Sequence, residues 1–123
     1  MQSLILLGYG KMAKALAQGL KNKYKLLVCG RNLAKVQSFC EELNLTPLFL
    51  ENSTIPLKES DEILLCVKPY ALNQFRFNGK AKCVYSILNA TSLETLKAVI
   101  ESQYYIRAMP NICASVGQSI TSL

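Results

Sequence analysis

The stretch ILLGYGKMAKAL, residues 5–16, changes character at its midpoint. Apolar residues run into Gly8-Tyr9-Gly10, and then Ala13, Leu16, Ala17 and Leu20 recur at i, i+3, i+4 and i+7, the spacing of one helix face. A strand that passes through two glycines straight into a helix is the opening of a βαβ unit. Gly8, Gly10 and Ala13 spell G-x-G-x-x-A at that junction, where each small residue has a mechanical reason. The first permits a tight turn, the second lets a pyrophosphate approach the backbone, and the third lets the helix pack closely on the strand. The helix start adds unpaired N–H groups and a partial positive charge, both suited to an anion.

Outward from this unit, apolar or period-2 segments alternate with 3.6-period segments, which is the signature of a parallel sheet with crossover helices. Leu4 to Leu7 reads as the first strand and residues 24–29 as the second. Asn32 is placed to cap a helix carrying Leu33, Val36, Cys40 and Leu43 on one side. A third strand is expected at residues 47–50, and the polar connection holding Pro56 reads as loop with at most a short helix. EILLCV, residues 62–67, is apolar enough for a strand covered on both faces, ended by Lys68-Pro69. Asn78-Gly79 signals a turn, and residues 83–88 form the next strand. Thr91 and Glu94 spell a capping box ahead of Leu93, Leu96 and Ile100, and residues 104–109 make a last strand stopped at Pro110. The fold expected is α/β: a Rossmann-like, doubly wound, mainly parallel sheet of about six strands with helices on both faces, in one domain over residues 1–123.

Composition narrows the function. Half of the 123 residues are apolar, enough for one core, and no apolar run reaches the roughly 20 residues of a membrane span. With no signal-peptide pattern either, a soluble cytoplasmic protein is expected, without a membrane partner. The five cysteines are odd in number, lack a C-x-x-C pair and sit mostly in apolar runs, so they read as buried reduced thiols. There is no histidine, which argues against a metal site and removes the commonest general acid or base. Fourteen basic against eight acidic residues give a formal charge of +6, suited to an anionic cofactor. Those charges are scattered, without the basic block that would indicate nucleic acid.

The choice of dinucleotide falls at the end of the second strand, where an NAD-binding chain offers a carboxylate about 20 residues past the glycines. This chain has Gly30-Arg31-Asn32 there. An adenosine 2′-phosphate would meet the Arg31 cation rather than a like charge, which favours NADP(H) over NAD(H).

Together, GYGKMAKAL at residues 8–16, LLCVKP at 64–69, SILNATSLETL at 86–96 and IRAMPNICASVG at 106–117 resemble pyrroline-5-carboxylate reductase. The resemblance implies reduction of a cyclic imine to proline with NADPH or NADH, a small-molecule substrate and no nucleic-acid partner. It places Leu7, Gly8, Tyr9, Gly10, Lys11 and Met12 in the phosphate loop and Asn52 with Ser53 beside the adenosine, where Arg31 and Asn32 also stand. It sets Cys66, Val67, Lys68 and Pro69 along the cofactor after one strand, and Ile87, Leu88 and Asn89 after the next. Lys68 reads as a lining residue, and Arg107 and Asn111 as structural parts of the substrate-side rim, so no catalytic residue is assigned. The chain departs from the family pattern at Leu88-Asn89-Ala90 and at Ile112-Cys113. The family's helical C-terminal domain, which forms the homo-oligomer and much of the imine site, is expected to begin about where Leu123 falls. Alternatives with the same first βαβ unit are a reductase of the F420-dependent NADP type and a non-catalytic nucleotide-binding module.

Overall fold

The computed structural model describes residues 2–88 and 91–107. Leu4 to Leu7 have no exposed side, and the chain forms β1 (Ser3–Leu7) there before α1 (Lys11–Leu20), which buries Ala13, Leu16, Ala17 and Leu20 as their spacing requires. β2 (Lys25–Cys29) follows, then α2 (Leu33–Leu43), whose N-cap Asn32 accepts a hydrogen bond from the Lys35 amide through Oδ1 at 3.1 Å. Leu33 departs from expectation: it is 51% exposed at the first position of α2, and Phe39 joins Val36, Cys40 and Leu43 on the buried face instead. The remaining elements are β3 (Thr46–Pro47), β4 (Thr54–Leu57), β5 (Glu62–Leu65), a 3-10 helix (Pro69–Gln74), β6 (Arg76–Ser86), α3 (Leu93–Val99) and β7 (Glu101–Arg107).

Among the described residues every strand pairing is parallel, in the order β3-β2-β1-β5-β6-β4, with β7 also on β6. β5 and β7 both pair with residues 83–86 of β6, so they flank it. The ladder β3-β2-β1-β5-β6-β7 is the doubly wound arrangement, and it has two covered faces. Alternation along β1 divides them. Leu4 and Leu6 meet α1 and α2 together with Leu26, Val28 and Leu64, while Ile5 and Leu7 face Ile63, Leu65, Val84, the 3-10 helix residue Leu72 and Leu96 of α3.

Among the described residues the sheet has seven strands rather than about six, because residues 54–57, expected as loop, form β4. Pro56 is compatible with this position: β4 pairs only with β6, and a residue lacking N–H is tolerated on an open edge. β6 in turn begins seven residues earlier than expected, at Arg76, and ends at Ser86 instead of 88. Asn78-Gly79 is therefore a kink inside a strand. Gly79 has φ +99°, and a Cβ there would overlap the Leu57 carbonyl oxygen, so only glycine fits. Arg31 at the carboxyl end of β2 bonds Gln74, which puts the start of β6 near the same rim that Ser86 reaches at its end. The strand must double back, and Gly79 is where the backbone allows it. Its first segment and β4 form a small second layer, with Ile55, Leu57 and Phe75 buried against Ile63, Leu65 and Val84.

Other boundaries shift for local reasons. β3 is two residues long instead of spanning 47–50, because Leu48, after donating to the Val28 carbonyl at 2.7 Å, turns with Leu50 onto the second core face. β5 stops at Leu65, not 67, since Cys66 and Val67 already lead into the 3-10 helix. The α3 cap is Ser92 and not Thr91: Thr91 is buried, whereas the Ser92 Oγ accepts from the Thr95 amide at 3.1 Å. β7 covers residues 101–107; the expected continuation to 109, with Asn111, Cys113 and Asn89, lies outside the described residues.

Candidate dinucleotide site

The carboxyl ends of β1, β2, β5 and β6 carry most of the residues singled out in the sequence. Gly8 leaves β1 with φ +128°, donates its amide to the Cys29 carbonyl at 3.0 Å and lies so close to β5 that a Cβ would sit 2.7 Å from the Cys66 carbonyl oxygen. It fixes the distance between two strand ends. Gly10 differs: a Cβ there would meet no atom within 4 Å. It is the N-cap of α1 and has no side chain to cap with. The first intrahelical bond runs from the Lys14 amide to the Gly10 carbonyl at 2.9 Å, which leaves the Lys11, Met12 and Ala13 amides as the first-turn donors. Lys11 and Met12 are exposed, and Ala13 is fully buried beneath them. Open space, uncapped amides and a basic side chain fit a bound diphosphate.

Between the glycines, the half-buried Tyr9 ring crosses to the end of β2, where a Cβ on Gly30 would come within 2.5 Å of Tyr9 Cε2. Arg31 follows, exposed, and donates from Nη1 to the Gln74 Oε1 at 2.5 Å. Asn32 is occupied as the α2 cap. Beneath this end, burial pushes the Cys29 thiol up to about 12, so it is an inert packing group.

Cys66 accepts its place from β1, donating its amide to the Leu7 carbonyl at 2.8 Å; Cys66 and Val67 are half-buried. Exposed Lys68 and Pro69 open the 3-10 helix, with proline at its first position. Beyond β6, Ile87 packs on the α1–α2 face and Leu88 on the other. Asn52 and Ser53 lie in the loop before β4, both in the left-handed region at φ 52° and 54°. The Ser53 carbonyl accepts from the Arg76 amide at 2.9 Å. Sequence reasoning passed over Gln74 and Arg76 in this neighbourhood. The alternation of Gln74-Phe75-Arg76-Phe77, polar then aromatic, was the period-2 signal for them.

At the opposite end of the sheet, Glu62 is buried and accepts from the Tyr85 hydroxyl at 3.1 Å and from Gln2 Nε2 at 3.2 Å. Burial raises its pKa, against the opposing pull of Tyr85 and Lys82. Among the described residues no cluster of His, Cys, Asp and Glu could hold a metal ion, and no helix is long and apolar enough to cross a membrane.

A parallel doubly wound sheet with an open helix start over a glycine at its switch point is the arrangement of the dinucleotide-binding class of folds. The family described as NADP oxidoreductase coenzyme F420-dependent matches residues 3–90, and the chain belongs to it. Over its whole length the chain is 33% identical to pyrroline-5-carboxylate reductases from two Helicobacter pylori strains, J99 and 26695, covering 49% of each. The same enzyme from Staphylococcus aureus strain COL is 28% identical over 98% of this chain and 48% of its own length. The chain thus spans about half the length of the curated relatives it matches. A crystal structure of 1-pyrroline-5-carboxylate reductase from Streptococcus pyogenes superposes with TM-score 0.70 over 93% of this chain and 44% of that one, at 24% identity, and shares its fold.

Proposed function

We propose that this chain is the amino-terminal, cofactor-binding half of an NADPH-dependent reductase that converts 1-pyrroline-5-carboxylate to L-proline. The observation that carries the reading is the open, uncapped start of α1 over Gly10, set beside an Arg31 cation where NAD-binding chains place a carboxylate. The first-turn amides and Lys11 hold the diphosphate, Arg31 faces the adenosine 2′-phosphate, and Asn52 with Ser53 border the adenosine. Cys66, Val67, Lys68 and Pro69, with Ile87 and Leu88, line the nicotinamide end. When bound, the dinucleotide supplies the hydride. The work left to these residues is orientation: Val67, Ile87 and Leu88 give that end an apolar wall that keeps water away, and no residue is assigned to proton transfer. Lys68 serves there as a lining residue.

Calorimetric titration tests the cofactor assignment. The wild-type chain is expected to bind NADPH more tightly than NADH, and Arg31→Asp to reduce that ratio at least tenfold, about 1.4 kcal/mol. An unchanged ratio would remove Arg31 from the site. Because the relatives are about twice as long, the reductase activity is proposed for the assembled enzyme. The 123-residue chain alone is expected to bind NADPH with little turnover of the imine. Rapid turnover would place the imine site within these residues. The family description supports a second reading, hydride exchange between NADP and coenzyme F420. Following NADPH oxidation by the assembled enzyme with each acceptor separates the two.

A further inference from the structure

We propose that Arg76, held in place beside Arg31 by Gln74 and Ser53, is a second cation of the 2′-phosphate subsite and sets the preference for NADPH over NADH. The inference rests on the cofactor reading above and extends it to a residue 45 positions beyond the usual determinant, Arg31.

Four observations converge on it. The Arg31 guanidinium does not project freely into solvent but is bonded to Gln74 Oε1 at the start of β6. Phe75, between Gln74 and Arg76, is extended at φ −109° and ψ 153°, and both Phe75 and Phe77 pack on the core. Side chains flanking an extended residue leave on the same side of the chain, so Arg76 emerges on the side where Gln74 meets Arg31, about 7 Å further along. The Arg76 backbone is pinned to the adenosine-side loop, donating its amide to the Ser53 carbonyl at 2.9 Å, and that loop is held in shape by the left-handed pair Asn52 and Ser53.

Charge completes the case. Among the described residues the only ion pair is Lys14 with Glu42, so neither Arg31 nor Arg76 is neutralised by a carboxylate. Glu51, in the same loop, pairs with neither. Two uncompensated guanidinium groups on one side of the start of β6 form a site for a dianion, and a phosphomonoester is the dianion that distinguishes NADP(H) from NAD(H). NADH presents only ribose hydroxyls at that place and gains nothing from the second arginine.

The test is titration of NADPH and NADH into wild type, Arg76→Gln, Arg76→Lys and Gln74→Ala. Arg76→Gln is expected to weaken NADPH about tenfold and leave NADH within twofold. Arg76→Lys recovers most of the loss, and Gln74→Ala weakens NADPH severalfold by releasing Arg31. A misfolded variant would lose both dinucleotides, so NADH is the internal control. Equal effects of Arg76→Gln on the two cofactors in a variant that keeps the wild-type urea midpoint, or no effect on either, overturn the proposal for Arg76 while leaving the cofactor reading intact. Wild type binding neither dinucleotide would instead overturn the reading on which it rests.

Discussion

A methyl group added at Gly8 would press on the Cys66 carbonyl from 2.7 Å, whereas one added at Gly10 would touch nothing within 4 Å. The two glycines of one motif therefore answer to different pressures. Gly8→Ala must adopt φ +128° and force β1 from β5, and it is expected to cost about 2 kcal/mol or more in urea unfolding, with binding lost only as the fold weakens. Gly10→Ala fits φ −83° and meets no atom, so its expected stability cost is only the roughly 1 kcal/mol or less by which alanine is a poorer N-cap than glycine, yet it should weaken NADPH at least tenfold by filling the approach to the α1 amides. Glu62 gives a residue-level test by pH. Its raised pKa means that the folded state holds the proton more tightly than the unfolded chain. The native carboxyl is thus at no disadvantage below the ordinary carboxylate range and becomes a liability as pH rises through its folded pKa. Glu62→Gln, which still accepts from Tyr85, should leave stability unchanged near pH 3.5 and raise it at pH 7, read as the urea midpoint at each pH. A gain at both values would show that charge is not the cause. The spelling of the motif disclosed both glycines. It did not disclose that one serves packing and the other access, because that depends on Cys66, which lies 58 positions from Gly8.

Helices and strands whose burial repeats with their own period were legible, and those defined by a partner were not. The α1 face at Ala13, Leu16, Ala17 and Leu20 was read correctly because all four residues pack on one core. β4 was missed because Pro56 and the short polar stretch around it suppress the strand signal, and only pairing with Arg76 to Gly79 makes residues 54–57 a strand. The α3 cap was displaced by one residue for a similar reason. Both Thr91 and Ser92 are capping types, and burial of Thr91 decided between them. Ser92→Ala removes the Oγ that accepts from Thr95 and should cost about 1 kcal/mol, a large share of the stability of a seven-residue helix. Hydrogen exchange of the 93–96 amides would report it, and unchanged protection there would show that Leu96 packing alone holds α3.

For the whole molecule, the two core faces and the carboxyl rim separate stability from binding. Cys29, Cys40 and Cys83 lie in the cores, where burial pushes the Cys83 thiol up to about 11, but Cys66 is half-buried at the rim. In a Cys113→Ser background, Cys66 should therefore react with a disulfide dye well before the other three, and saturating NADPH should slow it severalfold. Four equal rates would indicate global opening instead. The overall architecture was legible because alternating patterns constrain a parallel sheet to few topologies. The part of the proposed site that was not legible, Gln74 and Arg76, depends on a strand that turns back on itself.

That returning strand also dictates an order of events during synthesis. β6 alone pairs with β4, β5 and β7, so a growing polypeptide that has left the ribosome only through residue 74 carries both earlier strands without their shared neighbour. Ile63, Leu64 and Leu65 then offer a bare, fully apolar edge to any other extended segment nearby. Until the eleven residues from Arg76 to Ser86 emerge, the newborn chain is at its most adhesive, and a translational pause that holds residues 60–75 outside the ribosome with 76–86 still in the exit tunnel should raise the aggregated fraction more than a pause anywhere earlier.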